Sequence, residues 1–228
     1  MKKWTHDEAV LALGLYFQMP FNSISSRAPK VIELAKLMGR SPASLSMKMD
    51  NFGGLDPSLS ERGIVGLKNS SKLDKQVWDE FVDKRETLAS LFHELVLKLK
   101  GGDSLADDMT IKTPPGLDGT HLTQYRINQS FFRKSVLSAY DFTCCITGLT
   151  DDRLLIASHI KPWAKCENGN ERTDASNGLC LNALHDKAFD KGLITLDEDY
   201  RVIISKELKD VVSYVAFSEY FIQYEGKK

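Results

Sequence analysis

The chain has 228 residues, of which 42% are hydrophobic and 27% are charged. This is the balance of an ordinary folded protein, and it excludes disordered, collagen-like and disulfide-scaffold chains. The four cysteines form no C-x-x-C pair, so we expect buried thiols rather than a structural zinc site. The formal net charge is −1, so a nucleic-acid partner would need a local basic patch.

Membrane insertion and secretion are not expected. No stretch approaches the roughly 18 to 20 uninterrupted apolar residues that a membrane span needs. The first eight residues turn acidic at Asp7 and Glu8, where a signal peptide would begin its apolar run. We therefore expect a cytoplasmic protein with no membrane partner.

The first hundred residues have the pattern of a helical module. Thr5 and Glu8 have the spacing of a capping box at the start of a first helix. A second helix is predicted over 30–38, and a third begins after Ser41 as its cap. The apolar positions of 73–100 indicate one long amphipathic helix or two short ones.

A composition change divides the chain. Residues 101–122 combine glycine, proline and acidic residues without periodicity, as linkers do. We therefore predict a helical module at 1–100, a linker at 101–122 and a second domain at 123–228. The second domain is predicted to contain a helix at 129–140, short strands at 154–160 and 178–181, a helix capped by Asn182 that runs to Asp190, and a hairpin at 193–204. The fold class is α+β.

Residues 31–52 fit a helix-turn-helix. Residues 1–50 carry seven basic and four acidic side chains, a local net charge of +3. The side chains expected to face DNA are Ser41, Ser44 and Lys48, on one face of the second helix, and Arg40 beside the DNA backbone. The alternative is a helical packing unit without a DNA-binding role, because any pair of short helices can mimic this pattern.

Three segments near the carboxyl end carry the residue types of a hydrolytic site. His159 ends an apolar run and, when neutral, can accept a proton from water. Asp186 and Asp190 are four residues apart, so a helix places both on one face as hard oxygen ligands for Mg²⁺ or a similar ion. Such an ion would neutralise a scissile phosphate while His159 activates water, which is phosphodiester hydrolysis.

These segments resemble the HNH (ββα-metal) nuclease motif, in the variant C-x-x-T-G, A-x-H-I-x-P-W, N-G-L-x-L and F-D-x-G-L-I. The four parts occur here at 144–148, 157–163, 177–181 and 189–194. The resemblance implies a ββα fold in which His159 is the general base and Asn177 ties the loop that orients it. It also implies a divalent metal ion held by the last helix, with Mg²⁺ expected and Mn²⁺ or another ion as alternatives.

The chain departs from this pattern at two places. Ser158 stands where many relatives have an acidic or histidine ligand. The helix histidine of relatives falls at Asp186 here, with His185 displaced by one residue, and one residue turns a helical side chain by about 100°. We favour Asp186 as the ligand and keep His185 as a second candidate. Arg172 either contacts a DNA phosphate or pairs with Asp174.

The function expected from these features is metal-dependent hydrolysis of double-stranded DNA. The helical module also resembles those that precede this HNH variant in bacterial restriction endonucleases. A homodimer would allow two sites to cut both strands. One alternative is a DNA-binding regulator with a degenerate, inactive HNH domain, which Ser158 and the displaced His185 motivate. A second alternative is a structural or RNA-directed module that does not cut DNA.

Overall fold

The computed structural model describes residues 3–64, 66–67, 70–101, 119–211 and 214–228. Within these ranges, no helix combines the length and the apolar character that crossing a membrane requires. Most of the predicted linker, 102–118, lies outside the described residues. Its last four residues, 119–122, belong to a helix.

The described residues of the amino-terminal half are mainly helical. In chain order they are α1 (His6–Tyr16), α2 (Pro29–Leu37), α3 (Pro42–Gly53), α4 (Pro57–Glu61), α5 (Lys72–Phe81) and α6 (Arg85–Leu99). The apolar pattern of 73–100 is thus two helices rather than one. Helix α1 is buried along most of its length and packs against α3, α5 and α6, so it is the centre of this half.

Local capping explains where these helices begin. The Thr5 hydroxyl accepts from the amide of Glu8 at 3.2 Å, and the Glu8 carboxylate accepts from the amide of Thr5 at 2.9 Å, which confirms the predicted capping box. Ser41 likewise accepts from the amide of Ser44 at 3.2 Å. Gly39, at φ +63°, makes the tight turn between α2 and α3. The predicted order of helix, tight turn and helix is therefore present at α2 and α3.

The carboxyl-terminal half alternates short strands and helices. In chain order it contains α7 (Gly119–Ala139), β1 (Leu155–His159), α8 (Gly169–Thr173), β2 (Gly178–Asn182), α9 (Ala183–Asp190), β3 (Ile194–Leu196), β4 (Val202–Ile204), α10 (Lys206–Val211) and α11 (Tyr214–Tyr220). Helix α7 begins ten residues before the predicted start at 129, because propensity does not reveal where a helix emerges from a polar segment.

Two antiparallel strands and one helix make the ββα unit. Strand β1 pairs with β2 so that Leu155 lies opposite Asn182 and His159 lies opposite Gly178. Asn182 caps α9, which packs on both strands and ends before Gly192, at φ +67°. Strands β3 and β4 form a separate hairpin. The α+β fold class predicted from the sequence is confirmed.

The two halves are packed against each other through α7. Phe131 of α7 is 4% exposed and belongs to the apolar core that α1 organises. Helix α6 contacts both α7 and α8, so the helical half reaches the loop that precedes β2. The ββα unit is therefore supported from one side by the amino-terminal helices.

Cysteine side chains are free thiols in this fold. Cys144, Cys166 and Cys180 are buried, as expected from the sequence. Cys145 is exposed, which corrects the expectation that all four thiols are internal. Its backbone amide donates to the carbonyl oxygen of Cys180 at 2.9 Å, and this main-chain contact fixes the segment.

Candidate active site

His159 is the last residue of β1, and two aromatic rings hold its imidazole. The ring of Phe132, from α7, stacks on it with a centroid distance of 3.7 Å and an interplanar angle of 14°. The ring of Trp163 meets it edge-on at 5.5 Å and 89°. Aromatic contacts on two sides restrict rotation of the imidazole, so its nitrogen atoms have defined directions.

A backbone carbonyl selects the tautomer of His159. The Nε2 atom lies 3.0 Å from the carbonyl oxygen of Arg172. Because a carbonyl oxygen can only accept, Nε2 carries the hydrogen, and in the neutral ring Nδ1 keeps its lone pair. Burial lowers the pKa of His159, while the Arg172 carbonyl and the charge of Asp190 raise it in part. The imidazole is therefore neutral near pH 7, with a basic nitrogen at Nδ1.

Asn177 ties the loop between the two strands. Its Oδ1 accepts from the amide of Lys161 at 2.8 Å, and its Nδ2 donates to the carbonyl oxygens of Glu171 at 2.9 Å and Lys161 at 3.3 Å. Its own carbonyl accepts from the amide of Ile160 at 2.9 Å. Asn177 thus joins the residues that follow His159 to the segment that carries the Arg172 carbonyl.

Arg172 lies in the same loop with its guanidinium half-buried. The Nη2 atom donates to the carbonyl oxygen of Cys166 at 3.4 Å, and the guanidinium carbon lies 5.7 Å from the centre of the Trp163 ring. The Nε donor is buried without a partner among the described residues. No ion pair joins Arg172 to Asp174 in the described part of the chain, which leaves the phosphate contact as the expectation still open.

Helix α9 carries the two carboxylates that the sequence predicts as metal ligands. Asp190 is exposed, and it lies near enough to His159 for its negative charge to raise the pKa of the imidazole. Asp186 is half-buried and lies one helical turn before it. The described residues contain no group of three or more His, Cys, Asp or Glu side chains able to hold a metal ion. Two carboxylates with water and substrate phosphate are nevertheless a usual environment for Mg²⁺.

His185 and Ser158 are both turned away from this site. His185 is 2% exposed; its Nε2 donates to the carbonyl oxygen of Tyr220 at 2.9 Å, and its Nδ1 lies 3.0 Å from Oδ1 of Asn182. The second candidate ligand is therefore corrected, because both ring nitrogens already face protein oxygens in the core. Ser158 is 3% exposed, since neighbouring strand residues point to opposite faces.

Of the side chains expected to face DNA in the amino-terminal half, two are accessible to solvent and two bind carboxylates of the protein. Ser41 is exposed and Ser44 is half-exposed on α3. Lys48 is instead buried and forms an ion pair with Asp74 of α5. Arg40 donates to the Glu8 carboxylate, at 2.7 Å from Nη2, and lies over the Trp4 ring. The expectation that Lys48 and Arg40 face DNA is corrected, because internal carboxylates bind both cations.

Sequence reasoning missed the residues that hold the histidine from α7. Phe132 stacks on the imidazole, and Arg133 donates from Nη1 to the carbonyl oxygen of Leu155 at 2.7 Å, which attaches α7 to β1. The Phe131-Phe132 pair in a polar helix was the available signal, since adjacent aromatic residues point to two different surfaces of a helix. It did not show which partners those surfaces would find.

Comparison with known proteins identifies the segment that contains this site. Residues 144–197 match the family described as HNH endonuclease. The match includes β1, the loop with Asn177, β2 and α9. A search of curated proteins gives no match to the chain. Members of the matched family have a nuclease-type function and generally use a divalent metal ion. Residues 144–197 are therefore a domain of the HNH endonuclease family.

Proposed function

We propose that the chain is a metal-dependent endonuclease that hydrolyses phosphodiester bonds of double-stranded DNA, of the bacterial restriction type and acting in the cytoplasm. The observation that carries the proposal is the arrangement of His159. Its Nε2 hydrogen is bound to the Arg172 carbonyl, and its pKa is lowered by burial. A neutral imidazole with one available nitrogen is what a general base requires near pH 7.

The proposed reaction uses His159 as the proton acceptor. Nδ1 takes a proton from a water molecule, whose oxygen forms a bond to phosphorus while the bond from phosphorus to the leaving sugar oxygen breaks. The departing oxygen receives a proton from solvent. The Arg172 carbonyl and the charge of Asp190 favour the imidazolium that forms, because both act to raise the pKa of His159. Asn177 positions the loop and does not exchange protons.

The metal ligands proposed are Asp186 and Asp190, with Mg²⁺ as the ion and Mn²⁺ as an alternative. When bound, the ion would neutralise phosphate charge and stabilise the leaving oxygen. The donor set fits Mg²⁺ because this ion prefers oxygen ligands and is commonly held by one or two carboxylates together with water and substrate. His185 is not included, since both of its ring nitrogens face protein oxygens in the core.

DNA contacts are proposed for Ser41, which is the N-cap of α3, for Ser44 on α3 and for Arg172 beside His159. The buried Nε of Arg172 has no protein partner in the described chain, so a phosphate oxygen would satisfy a donor that is otherwise costly to bury. A homodimer would bring a second site to the complementary strand. The helical half, proposed as 1–100, would then select the site, and the domain at 123–228 would cut.

A DNA-binding regulator with an inactive HNH domain is the second candidate. Its support is the reduced set of metal ligands, because Ser158 and His185 both lie in the core. The two candidates differ in one measurement. Supercoiled plasmid incubated with Mg²⁺ or Mn²⁺ is nicked by the nuclease and is bound without nicking by the regulator. Chelation of the metal, and the variant His159→Ala, are the controls for a contaminating nuclease. Digestion of modified and unmodified DNA, with sequencing of the ends, then tests the restriction role.

A further inference from the structure

The first turn of α6 meets the loop that holds the reactive histidine. Glu86 is the second residue of α6, and its Oε1 accepts a hydrogen bond from Nδ2 of Asn128 on α7. Gln124 reinforces this contact by donating to Ser90 at 2.7 Å and to Asn128 at 2.9 Å. Asn128 is 2% exposed, so the contact is internal. Glu86 is thus held in place by α7 from one side.

On its other side, Glu86 lies against the first residue of α8. A Cβ atom built on Gly169 would lie 1.2 Å from Oε2 of Glu86 and 2.2 Å from its Cδ. A side chain larger than hydrogen fits at 169 only if the Glu86 carboxylate swings away, which disturbs its contact with Asn128, or if one of the two helices moves. Gly169 is not at positive φ, so the requirement for glycine comes from this close approach rather than from backbone conformation.

Helix α8 connects this contact directly to His159. The helix has five residues, and Arg172, whose carbonyl binds Nε2 of His159, is three residues after Gly169. Thr173 is buried and donates from Oγ1 to the carbonyl oxygen of Gly169 at 2.8 Å, so a hydrogen bond joins the last residue of α8 to the first. A displacement of Gly169 would therefore move the Arg172 carbonyl with it.

We propose that Glu86 is a positioning residue for the reaction: through Gly169 it seats α8 so that the Arg172 carbonyl fixes the tautomer of His159. The helical half would then complete the catalytic geometry as well as contact DNA. This inference rests on the proposed function, in which His159 is the general base. Glu86 touches neither substrate nor metal in this arrangement. Glu86 acts through the Arg172 carbonyl, which binds the Nε2 hydrogen of His159 and so leaves the Nδ1 lone pair available to water.

Four variants and a matched control test the proposal. Glu86→Ala removes the support of α8, and Gly169→Ala breaks the contact, because its methyl group displaces either the Glu86 carboxylate or α8. Glu86→Gln keeps the shape and the acceptor for Asn128. The double variant Glu86→Ala with Gly169→Ala removes the two atoms that clash most with the added methyl group, Oε2 and Cδ, and leaves Cβ of residue 86 at 3.0 Å from it. Glu94→Ala is the control, because Glu94 lies on the same helix but is exposed and pairs with Lys98. Thermal unfolding establishes that each variant is folded.

Two readouts are taken on the full chain. The first is the tautomer of His159 from ¹⁵N chemical shifts of the ring nitrogens, which needs no DNA and no cleavage. The second is kcat for plasmid nicking with Mg²⁺. A misplacement of about 1 Å can reduce a rate by roughly 10²-fold. We expect Gly169→Ala and Glu86→Ala to lose roughly ten- to a hundredfold in kcat and to mix the two tautomers. Glu86→Gln and Glu94→Ala should match the wild type.

The double variant gives the sharpest outcome, since coupled residues show non-additive effects. We expect it to be more active than Gly169→Ala alone. Wild-type tautomer populations in both Gly169→Ala and Glu86→Ala overturn the proposal, and so does a loss of kcat with an unchanged tautomer. If the wild type does not nick DNA, the proposed function fails, while the tautomer measurement still decides whether Glu86 positions His159.

Discussion

The properties of His159 follow from four neighbours whose effects on its pKa compete. Burial against Phe132 and Trp163 disfavours the imidazolium, and this is the largest effect. The carbonyl of Arg172 and the carboxylate of Asp190 favour the charged form more weakly. As the proposed base, His159 is neutral and able to accept a proton at neutral pH, and its protonated form keeps two favourable contacts.

Removal of this base should abolish cleavage and leave DNA binding nearly intact. A general base contributes roughly 10² to 10⁴ in rate and little to ground-state affinity, so His159→Ala should lower kcat by that factor. Nicking assays and a fluorescence-anisotropy titration on the same DNA measure the two quantities. Wild-type cleavage by His159→Ala would contradict the mechanism.

The pH dependence should show the lowered pKa of His159. Only the neutral imidazole accepts a proton, so activity is lost when pH falls through the pKa of the folded protein. Because this pKa lies below the ordinary value of 6.5, the acidic limb of kcat/KM should lie below pH 6.5. Asp190→Asn removes a charge that raises this pKa, so the limb should move to still lower pH at saturating Mg²⁺. Movement to higher pH would refute the assignment.

Metal affinity should depend on α9 and not on the cysteines. Asp186→Asn and Asp190→Asn should each weaken Mg²⁺ or Mn²⁺ binding, because each removes a charged oxygen ligand. Cys144→Ser and Cys180→Ser are the controls, since both thiols are buried in the core. Isothermal titration with Mn²⁺ measures the affinity directly. Stoichiometric zinc that disappears with the cysteines would reverse the assignment.

At the scale of elements, sequence patterns predicted the features that depend on residues close together in the chain. The caps at Thr5, Ser41 and Asn182 all form, because each depends on a hydroxyl or amide and a backbone amide two or three residues away. The ββα unit also follows its motif. The burial of Lys48 was not predictable, because its partner Asp74 is 26 residues away and the helix face looked polar.

The ion pair between Lys48 and Asp74 should contribute to stability rather than to DNA binding. The side chain of Lys48 is 6% exposed and that of Asp74 is fully buried, where it also accepts from Asn51 at 3.0 Å. Removing one partner of a buried pair costs about 3 to 5 kcal/mol, because the remaining charge loses its compensation.

Lys48→Met should therefore lower the free energy of unfolding by about 3 to 5 kcal/mol. The exposed Lys36→Met is the matched control, with an effect within about 0.5 kcal/mol. Urea denaturation measures both. A stable Lys48→Met variant that no longer binds DNA would restore the groove-facing interpretation.

At the scale of the whole molecule, the composition predicts two separate halves, whereas in the structure side chains of the two halves pack against each other. The unpatterned residues of 101–122 predict two separate halves, and the domain limits of 1–100 and 123–228 stay a proposal. Phe131 nevertheless enters the core of the helical half, and Glu86 reaches α8. These contacts join residues about 40 to 80 positions apart, so local sequence patterns cannot predict them.

A fragment of residues 120–228 should therefore be less stable than the same region in the full chain. Its α7 would expose Phe131, which is 4% exposed in the whole protein, and would lose the contact between Asn128 and Glu86. An exposed aromatic surface of this kind promotes association. We expect the fragment to self-associate and to unfold at a lower temperature, as measured by size-exclusion chromatography and circular dichroism.

The substitution Phe131→Ser separates the effect of exposing Phe131 from the effect of losing the contact between Asn128 and Glu86. In the full chain it should destabilise the protein by about 3 to 5 kcal/mol, as expected for removing a buried phenylalanine. In the fragment the same change should restore a monomer, because Phe131 there faces water. A monomeric wild-type fragment that melts at the temperature of the full chain would show that the nuclease domain folds independently, and that its contact with the helical half adds nothing to its stability.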